Sequence, residues 1–322
     1  MGISINSKTP KWLNAYFNSF SQVFFVENIL TGMLVVISFI IYSAETGNWN
    51  MTIIPIIGCA VGNITAKIIG NDGDAISSGL FGFNPVLVCC AAALFFTGVP
   101  AYIVGIAGSI IAIPATTIIN KVCARFGVPG FTMPFIATAW LFILLSFQTG
   151  LVPAPGREGA LVGQNILQNN TWAANWAAFE WPKALTWGIG EIFPGVDTIW
   201  GGLVILLGIA IDRWDWAIKT AAAVVISLGI GYLMKADMGT LNAGLYTYCA
   251  ILTFLGIETF ASSKKTTVRY WALVLFALVL TVLTNFALAT VLAPVALPCL
   301  TFPFVITTWC TLWFEQHLSK KE

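Results

Sequence analysis

Residues 187–201 read WGIGEIFPGVDTIWG, and this stretch decides the fold of the chain. It places the carboxylate of Glu191 between apolar runs, in a chain that is 58% hydrophobic and only 9% charged. An ionisable side chain at the centre of a bilayer costs about 2.5–3.5 kcal/mol on insertion scales, so such a residue is a functional candidate by default. Glu191 is therefore the first candidate for a binding residue.

A similar stretch lies near the amino terminus, where residues 18–32 read NSFSQVFFVENILTG. Three pairs of positions align at a spacing of 169: Gln22 with Glu191, Asn28 with Asp197, and Gly32 with Gly201. The chain therefore consists of two related halves, and each half opens with a polar side chain in an apolar segment.

Composition defines the class of protein. A soluble domain carries about 25% charged residues, far above the 9% found here. The apolar runs are about 20 residues long, which predicts an all-α polytopic membrane protein in contact with membrane lipid. The absence of a basic patch excludes a nucleic-acid partner. The seven cysteines lie in or beside apolar runs, which favours packing over a disulfide framework or a metal site.

The hydropathy pattern predicts ten transmembrane helices plus two half-spanning helices in two inverted repeats. A first repeat covers 1–150, an external linker loop 151–180, and a second repeat 181–322. Half-spanning segments are predicted at 12–24 and 181–194. The predicted spans are 26–44, 51–69, 80–97, 99–120 and 131–150, then 196–212, 214–234, 240–260, 267–293 and 297–316.

The basic residues give an orientation. If both termini are cytoplasmic, twelve of the 15 Lys and Arg residues fall on or near the inside, as the positive-inside rule requires. The membrane is then a plasma or bacterial inner membrane. Five crossings per half is an odd number, so the halves insert upside down relative to each other. Inverted repeats place a binding site near the midplane, between the halves.

Two further motif pairs support the repeat. Thr132, Pro134 and Trp140 align with Thr301, Pro303 and Trp309 at the same spacing of 169. Each proline removes a helical hydrogen bond, and the carbonyls left free are expected to be those of Gly130 and Cys299, facing a polar path. A looser pair, GFNPVL at 82–87 and TLNAGL at 240–245, aligns at a spacing of 158.

The lining predicted for such a path consists of oxygen acceptors and flat apolar walls. Oxygens come from Gln22, Glu191, Thr132 and Thr301, and the same motifs contain phenylalanines such as Phe25 and Phe83. This combination suits a small planar solute rich in N–H donors, for example urea or a short amide.

The motifs QVFF, LFGFNPVLV, TMPF, WGIGE and TFPFVITTW, taken together and in this order, resemble the urea transporter family of facilitative urea channels. The resemblance covers nearly the whole chain. It implies a homotrimer with one pore per protomer, passive permeation of urea and close analogues, no catalysis and no cofactor.

The resemblance also implies roles for individual residues. Gln22 and Glu191 would begin two oxygen ladders, and Thr132 and Thr301 would line the narrow middle. Aromatic and aliphatic side chains would clamp the solute: Phe25, Phe83, Leu87 and Ile192 in matching motifs, and Leu241 and Leu245 in the second FN motif. Leu241 and Leu245 depart from the aromatic pattern of the family, and Tyr246 or Tyr248 are the alternatives for that wall.

Other classes of protein fit less well. An ammonium channel needs paired pore histidines, whereas the only histidine is His317 near the carboxyl end. A water or glycerol channel needs two Asn-Pro-Ala motifs, whereas Asn84-Pro85 occurs once. An intramembrane enzyme fits least well, because the sequence has no HExxH motif, no GxSxG motif and no carboxylate pair inside a predicted span. A proton-coupled secondary transporter that uses Glu191 remains an alternative, because an inverted repeat with an intramembrane glutamate suits it.

Overall fold

The computed structural model describes residues 3–149, 151 and 179–319, and the elements assigned in this part of the chain are helices. A first group of seven α-helices precedes the linker and a second group of seven follows it. The first group is α1 (Lys11–Ser21), α2 (Ile29–Thr46), α3 (Asn50–Ile68), α4 (Gly73–Ser77), α5 (Phe83–Phe95), α6 (Gly98–Ala124) and α7 (Met133–Ser146). The second group is α8 (Trp181–Gly190), α9 (Ile199–Asp212), α10 (Trp214–Leu233), α11 (Met238–Asn242), α12 (Tyr248–Phe260), α13 (Val268–Leu292) and α14 (Phe302–Ser319).

The two groups run through the same order of helix types. Each begins with a short helix, α1 of 11 residues or α8 of 10 residues. At about 1.5 Å per residue such a helix reaches roughly half of a 30 Å hydrocarbon core. Each group also contains a five-residue helix, α4 or α11, directly before a 13-residue helix, α5 or α12.

Within the described residues, five helices are long and apolar enough to cross a membrane: α2, α3, α6, α10 and α13. The segments predicted as spans 80–97, 131–150, 196–212 and 240–260 contain shorter apolar helices of 13 or 14 residues, α5, α7, α9 and α12. Two of these predicted spans begin too early, because 78–82 and 243–247 form turns that follow α4 and α11. The predicted linker loop 151–180 lies almost entirely outside the described residues.

Helices α2 and α9 join the two groups through small residues. The hydroxyl of Thr31 donates to the carbonyl of Gly208 at 2.7 Å. A side chain at Gly208 would come within 3.4 Å of both Thr31 and Leu34. Gly32 on α2 lies against the backbone of Phe17 on α1, where there is no room for a Cβ atom. Small residues let membrane helices approach closely and gain van der Waals contact.

The residues before α1 contact both groups of helices. The amide of Ile3 donates to the carbonyl of Ile211 at 3.0 Å, and Asn28 Nδ2 donates to the carbonyl of Ile3 at 2.8 Å and to Asp212 Oδ1 at 3.0 Å. This segment therefore ties the start of α2 to the end of α9, across the two groups.

Candidate functional site

Two threonines meet at the centre of the molecule. Thr132 Oγ1 and Thr301 Oγ1 are 2.6 Å apart, and the two residues are 3% and 1% exposed. Each stands just before a helix, α7 or α14. The residues before them, Phe131 (φ 48°) and Leu300 (φ 49°), both have left-handed backbone conformations. Such conformations cost about 1–3 kcal/mol for a residue with a side chain, and they concentrate at functional sites.

A reciprocal pair of hydrogen bonds surrounds the threonines. Trp140 Nε1 on α7 donates to the carbonyl of Pro298 at 2.9 Å, and Trp309 Nε1 on α14 donates to the carbonyl of Pro129 at 2.7 Å. Both donors and both acceptors are 169 positions apart. Each group of helices therefore holds the loop that leads into the central threonine of the other group.

The expectation of free carbonyls at Gly130 and Cys299 is wrong. The carbonyl of Gly130 accepts from the amide of Met133, and that of Cys299 accepts from the amide of Phe302, both at 3.1 Å. Pro134 stands in the first turn of α7, where the missing amide proton has no helical partner to lose. The proline thus begins a helix here rather than interrupting one.

A cavity of 460 Å³ lies on one side of the threonine pair, and Glu191 and Thr301 both line it. Glu191 Oε2 accepts a hydrogen bond from the amide of Gly195 at 3.3 Å. A second carboxylate, Asp197, lines the same cavity. The cavity is thus rich in oxygen acceptors, and we call it the Glu191 end of the site. Its other polar lining residues are Tyr42, Thr240, Tyr246, Tyr248 and Asn285.

Gln22, which corresponds to Glu191 in the repeat, does not line this cavity, and it lies near a cluster of aromatic rings; we call this region the Gln22 end. Gln22 Nε2 donates to the carbonyl of Ser78 at 3.2 Å. Phe25, three residues later, has a left-handed backbone (φ 59°) that turns the chain between α1 and α2. Its ring belongs to a cluster of four, in which five ring pairs have centroid distances of 5.0–6.3 Å: Phe25, Phe131, Phe260 and Phe304.

The two short helices are held in place by close packing of glycine against a hydroxyl. Gly188 on α8 packs against Thr247, and Gly82 before α5 packs against Ser19 on α1; neither glycine leaves room for a Cβ atom. In the first group the hydroxyl is that of Ser19, on the short helix α1. In the second group it is that of Thr247, in the turn before α12. This contact fixes Gln22 and Glu191 relative to α5 and α12.

The structure relates the two FN motifs differently from the sequence alignment. Asp72 caps α4 by accepting from Ala75 N at 2.8 Å, and Asp237 caps α11 by accepting from Thr240 N at 2.9 Å. These aspartates are 165 positions apart, as are Gly79 and Gly244, which both have positive φ. In this register Phe83 corresponds to Tyr248 and Leu87 to Leu252, so the pairing with Leu241 and Leu245 is wrong.

Asn84 and Asn242 are the same residue type, and this identity suggested that the two motifs align. Their side chains nevertheless make different hydrogen bonds. Asn84 is buried, accepts from the amide of Phe135 at 3.2 Å and donates to Thr116 Oγ1 at 3.3 Å. Asn242 instead accepts from the amide of Glu180 at 3.0 Å. The first asparagine supports the start of α7, whereas the second supports the start of α8.

The predicted site residues fall into two sets. The cavity brings together Glu191, Leu245 and Thr301. By contrast, Ile192 and Leu87 are fully buried, and Leu241, a residue of α11, packs toward Gly231. Asp197 lines the cavity but was not predicted as a site residue, whereas Tyr246 and Tyr248, the two alternatives for the second wall, both line it. The alignment of Asn28 with Asp197 was the signal for this carboxylate. Among the described residues, no group of three or more His, Cys, Asp or Glu side chains could hold a metal ion.

Comparison with known proteins gives consistent matches. A family model described as Urea transporter matches residues 13–316. The chain is similar to Urea transporter 1 of Ovis aries and of Capra hircus, each 24% identical over 296 residues, which cover 89% of this chain and 73% of the relative. Urea transporter 1 of Mus musculus is 24% identical over 295 residues, with the same coverage of both chains.

Proposed function

The chain belongs to the urea transporter family, and from this premise we propose that it conducts urea passively through a pore between its two groups of helices. In this proposal urea enters the Glu191 end, passes the threonine pair and leaves through the Gln22 end, or moves in reverse. Because the family consists of transporters, no catalytic step is involved.

The single observation that carries the proposal is the central threonine pair, with an oxygen-lined cavity beside Thr301 and a cluster of edge-to-face rings that includes Phe131 and Phe304. Urea carries four N–H donors on its edges and two flat faces. Glu191, Thr301 and Thr132 supply acceptors in sequence. A donor that sheds water without meeting an acceptor costs about 1–3 kcal/mol, so closely spaced oxygens lower the barrier.

The register of 165 pairs Phe83 with Tyr248 and Leu87 with Leu252, and we assign these pairs to the clamping walls. Phe25 completes the wall at the Gln22 end, and Ile192 completes the wall at the Glu191 end. Leu245 contributes to the mouth of the cavity, and Leu241 serves packing. The tyrosine face gives the second clamp an aromatic surface, which removes the apparent departure from the family pattern.

We extend the proposal to topology and assembly. The apolar helices and the family make the chain an integral membrane protein. The matching order of helices and the reciprocal tryptophan bonds support two inverted repeats, 1–150 and 181–322, with ten crossings and both termini cytoplasmic in a plasma or bacterial inner membrane. The apolar helix faces contact lipid and a second and third copy of the chain, forming a homotrimer.

The trimer is tested by sedimentation in mild detergent, with urea flux measured on the same preparation. A trimeric mass is expected. A monomer in every detergent tested, with full transport after reconstitution, would contradict this assembly.

The transport mechanism is tested by stopped-flow shrinkage of proteoliposomes in urea, thiourea, formamide and glycerol. We expect rapid urea flux that does not change when a proton gradient is imposed. Liposomes without protein are the control for leakage.

The proton-coupled alternative has one observation in its favour, since Glu191 and Asp197 line the same cavity. Two carboxylates in one cavity are a common feature of proton relays. Urea uptake that follows an imposed pH gradient would favour this alternative over the channel.

A further inference from the structure

Phe260 is the outermost ring of the cluster at the Gln22 end. It is the last residue of α12, and its side chain is 44% exposed. Its ring lies 5.7 Å from that of Phe25 and 5.5 Å from that of Phe131, in near-perpendicular edge contacts. After Ala261 comes the polar stretch 262–267, SSKKTT, so Phe260 lies between the ring cluster and a polar loop.

The backbone before Phe260 is fixed by a buried carboxylate. Glu258 is 3% exposed and bonds to Lys219 Nζ at 2.7 Å and to Lys265 Nζ at 3.0 Å. The hydroxyl of Tyr270 donates to its second oxygen. Glu258 therefore connects the last turn of α12 to α10, to the following loop and to α13.

The backbone after Phe260 is fixed by another carboxylate. Glu315 on α14 accepts from the amides of Ser262 and Ser263 at 3.2 and 2.6 Å, and from the hydroxyl of Ser263 at 2.5 Å. Hydrogen bonds to a charged acceptor are about twice as strong as neutral ones. Phe260 is thus held between two anchors rather than carried on a free loop.

Space for the rings beneath Phe260 comes from Gly256, one turn earlier on α12. A Cβ atom at Gly256 would lie 3.3 Å from the ring of Phe304 and 3.7 Å from that of Phe25. The rings therefore rest directly on the backbone of α12, and Phe260 covers them from the side of water.

We propose that Phe260 is a size-selecting residue of the Gln22 end, a fixed ring that limits the width of solutes entering or leaving the pore. Glu258 and Glu315 are its positioning residues. This inference rests on the proposed function and adds a selectivity element outside the clamp residues assigned there. A planar solute passes edge-on between the rings, whereas a solute with an added methyl group does not.

Phe95 is the matched control, because it is the last residue of α5 and lies 165 positions before Phe260. It lines the open cavity at the Glu191 end. The two phenylalanines thus occupy corresponding places at opposite ends, one in a closed ring cluster and one on the wall of a cavity.

The test compares urea and N-methylurea permeability in proteoliposomes of wild type, Phe260→Ala, Phe260→Leu and Phe95→Ala at matched protein levels. Phe260→Ala is expected to raise the ratio of N-methylurea to urea permeability roughly tenfold, the lower end of what one extra carbon is worth in a fitted pocket. Phe260→Leu, which keeps part of the packing volume but removes the ring, is expected to give a smaller rise. Phe95→Ala, which widens a cavity that is already open, is expected to raise the ratio less than Phe260→Ala does.

The positioning role is tested with Glu315→Ala, which should raise the ratio, and Glu315→Gln, which keeps an acceptor for the Ser263 amide and should restore the wild-type ratio. An unchanged ratio in both Phe260 variants, or an equal rise in Phe95→Ala, overturns the filter. An unchanged ratio in Glu315→Ala overturns the positioning role. Wild-type vesicles without urea flux would instead refute the proposed function, so the two failures are distinguishable.

Discussion

The two ends of the site share a backbone arrangement but differ in side chains. At positions 169 apart, Phe25 corresponds to Pro194 and Phe131 to Leu300. The Gln22 end therefore has rings where the Glu191 end has smaller groups, and those smaller groups line a cavity of 460 Å³. Charge differs in the same way, since Gln22 and Asn28 correspond to Glu191 and Asp197.

The comparison separates the backbone features that both ends share from the side-chain properties that differ between them. Both ends keep the left-handed residue before the threonine, the tryptophan bond and the packing of the short helix. Width and charge vary between the ends. We infer that the shared features build the narrow centre, whereas the ends set how each side admits a solute.

The largest effect on urea flux is expected at Glu191. A substitution there tests directly whether the difference in charge between the two ends matters. Because Gln22 holds the corresponding place without a charge, Glu191→Gln should retain substantial urea flux, whereas Glu191→Leu should abolish it by removing the acceptor. The measurement is urea flux in proteoliposomes at matched protein levels. A folded but inactive Glu191→Gln protein would contradict the channel mechanism and favour proton coupling.

The next effect concerns the centre, which the comparison treats as common to both ends. Thr132→Val and Thr301→Val keep the shape but remove one oxygen and leave the other hydroxyl without its 2.6 Å partner. A loss of about 1–3 kcal/mol corresponds to roughly 5- to 150-fold slower urea flux. Gel filtration controls for folding. Wild-type flux in both variants would place the constriction elsewhere.

The smallest effect is expected at Tyr248. Replacing this tyrosine with phenylalanine gives the second group of helices the residue type that the first group has at the corresponding position. The hydroxyl of Tyr248 donates to the carbonyl of Leu300 at 2.6 Å, whereas the corresponding residue is Phe83. Tyr248→Phe should lower stability by about 1 kcal/mol, the usual value of one hydrogen bond, with urea flux nearly unchanged. Thermal unfolding in detergent measures the first and stopped-flow the second. A large loss of flux would assign the hydroxyl itself to the path.

Sequence patterns were sufficient for the helical membrane class and for the pairs at spacing 169, because apolar length and repeated polar positions are local signals. The meeting of Thr132 with Thr301 follows from such a pair. The short helices α4 and α11 were not predicted, since five residues are too few to show a helical period. The mispairing of Phe83 with Leu241 arose because matching letters outweighed the aspartate caps that fix the register.

The cavity itself could not be predicted from the sequence, because it depends on which side chains are small at places that packing brings together. Pro194 and Leu300 are far apart in the chain and become neighbours of the same cavity only in the fold. Asp197 was aligned with Asn28, but nothing local shows that it shares a cavity with Glu191.

The reciprocal tryptophan bonds also have a consequence for biosynthesis. Trp140 is translated 158 residues before its acceptor Pro298. At 5–20 residues per second, the acceptor is therefore synthesised roughly 10–30 s after the indole that donates to it. Pro129 waits longer still for Trp309, 180 residues later. Unpaired polar groups inside a bilayer cost several kcal/mol each, so the nascent first half stays incomplete at its centre until α14 is inserted. The two tryptophan hydrogen bonds at the centre of the site are thus complete only after α14 has been translated and inserted.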